Sequence, residues 1–333
     1  MTTRLPEESA RLRERTAALG AGLGRARHRF SLFTAAATFV LIFVGGLVTS
    51  TGSSLSVPDW PLSYGQFFPP LVGGVLYEHG HRMVAGAVAL LTLALAVWTC
   101  REEPRAWARR LAVIALAAVV LQAILGGVTV LLRLPTAVSV AHAALAQAFF
   151  CLVVTLALVT GPDWVSGTPL AQRDAVLQAS SVATTASVYV QLLVGAVTRH
   201  TGAGLAIPDF PLAYGRLVPD LASFPVAIHF AHRVGALVVS ALVLATATRV
   251  LAARRRDPRL TRPALLLLAL VVLQLSLGAS VVWTRKAALP TTAHVAIGAA
   301  ILATTLVIAL RSLRDGAASG AWLAHPSAQG ASA

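Results

Sequence analysis

Thr51-Gly52-Ser53-Ser54-Leu55, continued by Pro58-Asp59-Trp60-Pro61-Leu62 and Tyr64-Gly65, has a second copy in the same chain. The copy reads Thr201-Gly202, Leu205, Pro208-Asp209-Phe210-Pro211-Leu212 and Tyr214-Gly215. The match opens at Val44-Gly45 against Val194-Gly195, and the offset is 150 throughout. Downstream, His81-Arg82 matches His232-Arg233 at an offset of 151. Leu121-Gln122, Gly126, Arg133 and Ala141-His142 match Leu273-Gln274, Gly278, Arg285 and Ala293-His294 at 152. So many matched positions with drifts of one residue identify an internal duplication.

Around these strings the chain is greasy. Its 333 residues are 56% hydrophobic and 12% charged, with a mean hydropathy of +0.75, which excludes a water-soluble enzyme. A bilayer core of about 30 Å needs about 20 apolar residues per helix. Eight stretches supply them, near 30–48, 79–99, 111–131, 138–160, 177–198, 226–250, 263–283 and 291–311. The first is too long and too late for a cleaved signal peptide. The expected fold is therefore an all-α membrane protein with eight transmembrane helices, arranged as two tandem pseudo-symmetric four-helix bundles. Four helices return the chain to its starting side, so the repeats are parallel.

The net charge of +14 is first a topology signal. Twenty Lys and Arg residues fall in the two tails and the loops on one side, five (Arg133, Arg199, Arg216, Arg285, Lys286) fall on the other, and Arg82 and Arg233 sit at helix starts. The positive-inside rule then places both termini in the cytoplasm of a multi-pass cell-membrane protein, and no nucleic-acid partner is needed to account for the charge. The expected units are a cytoplasmic tail (1–29), a four-helix half (30–160), a cytoplasmic linker (161–176), a second four-helix half (177–311) and a disordered cytoplasmic tail (312–333). Residues 7–29 read either as an amphipathic surface helix or as a charged, partly disordered tail. Each half carries a long outer loop, near 49–77 and 199–225, expected to cap its bundle.

Two cysteines, Cys100 and Cys151, are too few for a disulfide scaffold or a cysteine metal cluster. Histidine is the alternative ligand. Of nine, His28 and His325 lie in tails and His200 in a loop, where a solvated side chain is the default. His79, His81, His142, His229, His232 and His294 lie in the first turns of helices two, four, six and eight, toward the outer side. One such residue reads equally well as a packed, hydrogen-bonded histidine. Four in register read as a site. His81 faces His142 and His232 faces His294 at matching depth, and two imidazoles per bundle suit axial ligation of haem iron better than zinc. Arg82 and Arg233 could pair with haem propionates or act around the ligands, or snorkel to lipid phosphates. Glu78, three residues before His81, is replaced by His229 in the second half. A carboxyl in an apolar site can serve as acid or base, which suggests chemistry at the first centre and electron transfer at the second; a solvated interfacial residue is the plainer reading.

At these residues the chain resembles the heme A synthase family. The family pattern Glu-x-x-His-Arg is met by Glu78-His79-Gly80-His81-Arg82, with His229-Phe230-Ala231-His232-Arg233 as its counterpart, and with His142 and His294 on the fourth and eighth helices. The outer-loop strings are similar as well, and the likeness covers nearly all of residues 30–311. The resemblance implies an enzyme that oxidises the C8 methyl group of heme O to a formyl group by successive hydroxylations, giving heme A for cytochrome oxidase. It implies substrate heme O between His81 and His142, a permanent heme b between His232 and His294, and Glu78 as the acidic residue near the substrate methyl. It further implies contacts with heme O synthase, oxidase assembly factors and an unidentified electron-transfer partner, and leaves a homo-oligomer open. One departure stands out: Val57 and Ser63 occupy the region where some members carry a cysteine pair, so this chain is a variant without it. The rival from another class is a diheme b-type membrane cytochrome acting only in electron transfer.

Overall fold

The computed structural model describes residues 4–165 and 174–322. Arg173, His325, and parts of the expected linker and C-terminal tail lie outside these residues. The elements are α1 (Arg4–Ser50), α2 (Gly74–Glu102), α3 (Ala106–Leu131), α4 (Thr136–Val159), the short α5 (Pro162–Val165), α6 (Ala175–His200), α7 (Phe224–Ala253), α8 (Pro258–Trp283) and α9 (Ala288–Trp322). A 3-10 turn, Ala203–Leu205, lies in the second outer loop. Eight of these helices contain a segment long and apolar enough to cross a membrane, the first being Gly24–Ser50 and the last Ala288–Arg314. The protein is a multi-pass, all-α membrane protein of two four-helix bundles.

The helices outrun the apolar stretches that predict them. α1 is helical from Arg4, so from there on the backbone of the expected tail is continuous with the first span. α2 opens at Gly74, which moves His81 from the first turn to the second. α9 continues to Trp322, past residue 311 where a disordered tail was expected. Nucleation is the costly step of helix formation, and each residue added to an existing helix gains a hydrogen bond, so a membrane span carries its polar flanks along.

The turns repeat with the helices. α1 ends where Ser53 N donates to Val48 O at 2.9 Å, around Gly52 at φ 70° with its copy Gly202 at 75°; glycine enters this left-handed region without penalty. α3 and α8 end on non-glycine pairs at positive φ, Arg133-Leu134 and Arg285-Lys286. Leu134 N then bonds Thr129 O and Lys286 N bonds Val281 O, at 2.7 and 2.8 Å. At the opposite end, Glu103-Pro104-Arg105 and Asp257-Pro258-Arg259 make the same turn into α3 and α8. Each acid accepts from the backbone N–H and side chain of the arginine two residues on.

Each half closes its own core, with Val88, Leu95, Ala115, Val119, Phe149 and Val153 in the first and Val243, Val250, Leu260, Leu267, Leu302 and Ile308 in the second. Leu90, Leu237 and Val272 are 66–69% exposed on the outer faces of the bundle, as a lipid-facing surface requires. The halves meet along a seam of α1, α4, α6 and α9. Arg199 Nη2 crosses the seam to Gly46 O at 2.7 Å and Ser50 Oγ at 2.8 Å. Thr292 donates to the same Ser50 at 2.9 Å, and Tyr189 donates to Ala144 O at 3.1 Å. Backbone and hydroxyl groups inside a bilayer must find such internal partners.

Glu103 is 3% exposed and receives Arg27 Nη2 at 2.7 Å and Arg105 Nε at 2.6 Å. Burial alone would raise its pKa, but the hydrogen bonds and charge of the two arginines outweigh it and hold the carboxyl below the ordinary glutamate value of 4.5. A lowered folded-state pKa contributes stability that is present above the ordinary value and lost as pH falls through the lowered one. Glu103→Ala, which strands the buried Arg27, should cost about 3 kcal/mol or more. Thermal melts in detergent should show the wild type losing stability below pH 4.5 and the variant lacking that slope; parallel curves would refute the clamp.

Candidate metal-ligating site

The two outer loops fold as caps over one end of the bundle, and each residue of the repeated motif has a task. Asp59 accepts from Tyr64 N at 2.7 Å and Gly65 N at 2.8 Å; Asp209 accepts from Tyr214 N and Gly215 N at the same distances. These amides, Gly65 foremost in one cap and Gly215 in the other, hold both carboxyls below the usual aspartate value of 3.8. The tyrosine hydroxyls reach back, Tyr64 to Ser56 O at 2.5 Å and Tyr214 to Ala206 O. Trp60 lies against α3 at Gly127, where a Cβ would come within 2.6 Å of the indole. The second half carries a smaller ring, Phe210, and a larger partner position, Ala279.

The caps are fastened by the arginines. Arg82 Nη1 donates to Asp59 O at 2.8 Å and Leu62 O at 2.7 Å, and its Nη2 donates to Glu78 Oε1 at 2.8 Å. Arg233 donates to Leu212 O at 2.8 Å, Asp209 O at 2.7 Å and Ile207 O at 3.2 Å. Both guanidinium groups thus serve the cap carbonyls rather than reaching for lipid phosphates. Glu78, 4% exposed, completes the first fastening by accepting from Val57 N at 2.9 Å. His229 takes that place in the second cap, with Ile207 N 3.2 Å from its Nδ1 and Arg233 Nε 3.3 Å from its Nε2. Glu78 thus has both carboxylate oxygens engaged, one by the cap and one by Arg82. Ser63 Oγ and His79 Nδ1 share a 2.8 Å hydrogen bond that the second half lacks, because Ala213 and Phe230 stand there.

Beneath the caps lie the histidine pairs. The rings of His232 and His294 have centroids 6.2 Å apart, in an edge-on arrangement with 75° between planes. His142 lies within electrostatic reach of His81. Each ring rests on a glycine of a neighbouring helix. A Cβ at Gly45 would come 3.0 Å from His81 Cε1, at Gly195 2.9 Å from His232, at Gly126 3.2 Å from His142 and at Gly278 3.2 Å from His294. All four glycines belong to the repeated set, so their signal was visible in the sequence without their purpose. Gln122 and Gln274 accompany the fourth- and ninth-helix histidines, with Nε2 to Nε2 distances of 3.2 Å to His142 and 3.4 Å to His294. His142 Nδ1 and His294 Nδ1 are buried without a hydrogen-bond partner, an arrangement that a folded protein rarely tolerates unless a bound group completes it; His81 Nδ1 is buried and unpartnered too. Among the described residues no cluster of three or more His, Cys, Asp or Glu converges; the buried histidines come in pairs. His200, expected in a solvated loop, is instead the half-buried last residue of α6, within electrostatic reach of His142.

Residues 28–73 and 74–306 match the cytochrome oxidase assembly protein family, so both caps and all four histidines fall inside the match. The chain belongs to this family. Among its members, the heme A synthase of Geobacillus kaustophilus is 30% identical over 293 residues, covering 85% of this chain and 92% of the relative. That of Symbiobacterium thermophilum is 35% identical over 269 residues, covering 77% and 85%. In this family member the caps are set by ring and socket sizes that differ between the halves. Gly127→Ala should collide with Trp60 and lower stability by about 1–3 kcal/mol. Adding Trp60→Phe, which copies the second half, should recover most of the loss in a thermal melt; no recovery would show that the two positions do not share one socket.

Proposed function

We propose that the protein is a heme A synthase of the cell membrane, oxidising the C8 methyl group of heme O to a formyl group, with both termini cytoplasmic and the histidine pairs toward the outer side. The observation that carries this reading is a duplicated pair of buried, glycine-backed histidines at one end of the bundle, with a buried carboxylate fastening the cap over only one pair. The donor set fits haem. Two metal–imidazole bonds of about 2 Å and a further roughly 1 Å from each nitrogen to its ring centre give about 6 Å between centroids, close to the 6.2 Å between His232 and His294. The unpartnered Nδ1 atoms of His142 and His294 fit as well.

In this reading His81 and His142 hold substrate heme O, and His232 and His294 hold heme b, which supplies one-electron transfer when bound. The protein's share is placement. The glycines let the helices close on the imidazoles, the caps shield the site from water, and Glu78, coupled to Arg82 and Val57 N, is the group able to hold or pass a proton at its Oε atoms. A purely electron-carrying diheme cytochrome would need neither Glu78 nor the Ser63–His79 pair on one side alone. It would also set its two centres at different depths, whereas these pairs lie under neighbouring caps at the same end.

Expression with and without a heme O synthase, in a host lacking heme A, tests the reading by chromatography of extracted haems. Heme A should appear only with the synthase present; a stable, haem-loaded protein that never yields it would sink the proposal. Glu78→His copies the cap contact that His229 already makes, so haem binding should persist while conversion falls by about 10²-fold or more. Unchanged conversion would remove Glu78 from the chemistry. His232→Ala or His294→Ala should abolish the heme b spectrum while leaving the fold intact.

A further inference from the structure

The two histidine pairs are not held alike. On α6, Gln191 Nε2 donates to the backbone carbonyl of His232 at 2.7 Å and lies 3.0 Å from its Nδ1. Room for this amide comes from Gly235, where a Cβ would stand 2.1 Å from Gln191 Oε1. The repeat offsets of 150 and 151 place Leu41 and Val84 at these positions in the first half. Leu41 packs against the apolar core, and His81 Nδ1 is left buried with no partner. The partner histidines do not share this split: Gln122 and Gln274 both approach their histidine Nε2 atoms, and it is the first-half Gln122 that also donates to the His142 carbonyl, at 3.0 Å. The asymmetry at Nδ1 is confined to the α2 and α7 ligands.

A group bound to the ring nitrogen of a ligating histidine fixes the tautomer and the ring orientation, and losing it typically costs 10–100-fold in metal affinity. An amide has a donor end and an acceptor end, so Gln191 can answer Nδ1 in either protonation state, leaving Nε2 to the metal. Leu41 offers only van der Waals contact, so nothing polar fixes the His81 ring. We propose that Gln191, seated by Gly235, is a retention lock on His232 that makes the second-half haem resident, and that Leu41 and Val84 withhold this lock from His81 so that the first-half haem exchanges. The inference rests on the reading that each pair holds a haem. It adds the reason one site keeps its occupant while the other can admit substrate and release product. Gln191 acts through His232 and is a positioning residue.

The test measures release of heme b from the full-length protein in lipid nanodiscs to excess apomyoglobin, with one site silenced at a time by His142→Ala or His294→Ala. Release from the second half should be about 10–100-fold slower than from the first. Gln191→Leu should erase that difference without changing the first half. Gln191→Glu, which keeps an acceptor beside Nδ1, should retain slow release and lower the midpoint potential of the second-half haem by making its ligand more basic, an effect that a merely structural role would not produce. The transplant Leu41→Gln with Val84→Gly should slow release from the first half. Equal release rates in the wild type, or a Gln191→Leu protein that releases at the wild-type rate, would overturn the proposal. Because these rates need neither heme O nor turnover, loss of the synthase reading and loss of the lock are separate results.

Discussion

The charge-assisted hydrogen bonds from Arg82 and Arg233 to the cap carbonyls tie the irregular part of the structure to the regular part. Irregular backbone at the end of a membrane bundle leaves carbonyls that neither lipid nor a helix ladder can satisfy. A guanidinium offers five donors in a rigid plane and keeps its charge when half-buried, which a lysine does less well. Each arginine directly follows a histidine of the buried pairs, so the helix cannot shift beneath its cap without breaking several hydrogen bonds together. Cap and ligand are positioned as one piece.

Much of this was legible in the sequence, and the parts that were not have physical reasons. Span count, duplication and the pairing of His81 with His142 and His232 with His294 follow from apolar length and register. Helix ends do not, because hydropathy reports the membrane core while hydrogen bonding carries α1 and α9 beyond it. The left-handed pairs Arg133-Leu134 and Arg285-Lys286 lack the glycine that would announce such a turn. The arginines adjoin the paired histidines, but that adjacency did not signal their bonds to backbone carbonyls 20 to 26 residues upstream, which no residue type can announce. The glycines under the histidine rings were visible as matched letters; only the packing shows that their missing side chains are what the rings occupy.

Comparing the halves separates what the fold demands from what the chemistry chose. Turn aspartates, tyrosines, arginines, ring-facing glycines and the acid-Pro-Arg turns persist in both copies. Glu78, His79 and Ser63 became His229, Phe230 and Ala213 in a setting where the cap still closes in the same way. The scaffold therefore closes its cap with either side chain at this corner.

The seam bonds run mostly one way, with Thr136 Oγ1 of the first half returning a longer one to His200 O at 3.4 Å. Arg199, Thr292 and Tyr189 of the second half all donate to groups of the first half, and the positions matching them in the first half are Thr49, Val140 and Phe39, none of which can return the same bond. Whatever symmetric ancestor joined two equal bundles, the present interface is a lock with distinct sides. Two copies of the first half would lack the side-chain donors of these bonds. The second half brings the main donors of the seam and the first half receives them, so the two bundles are no longer interchangeable where they meet.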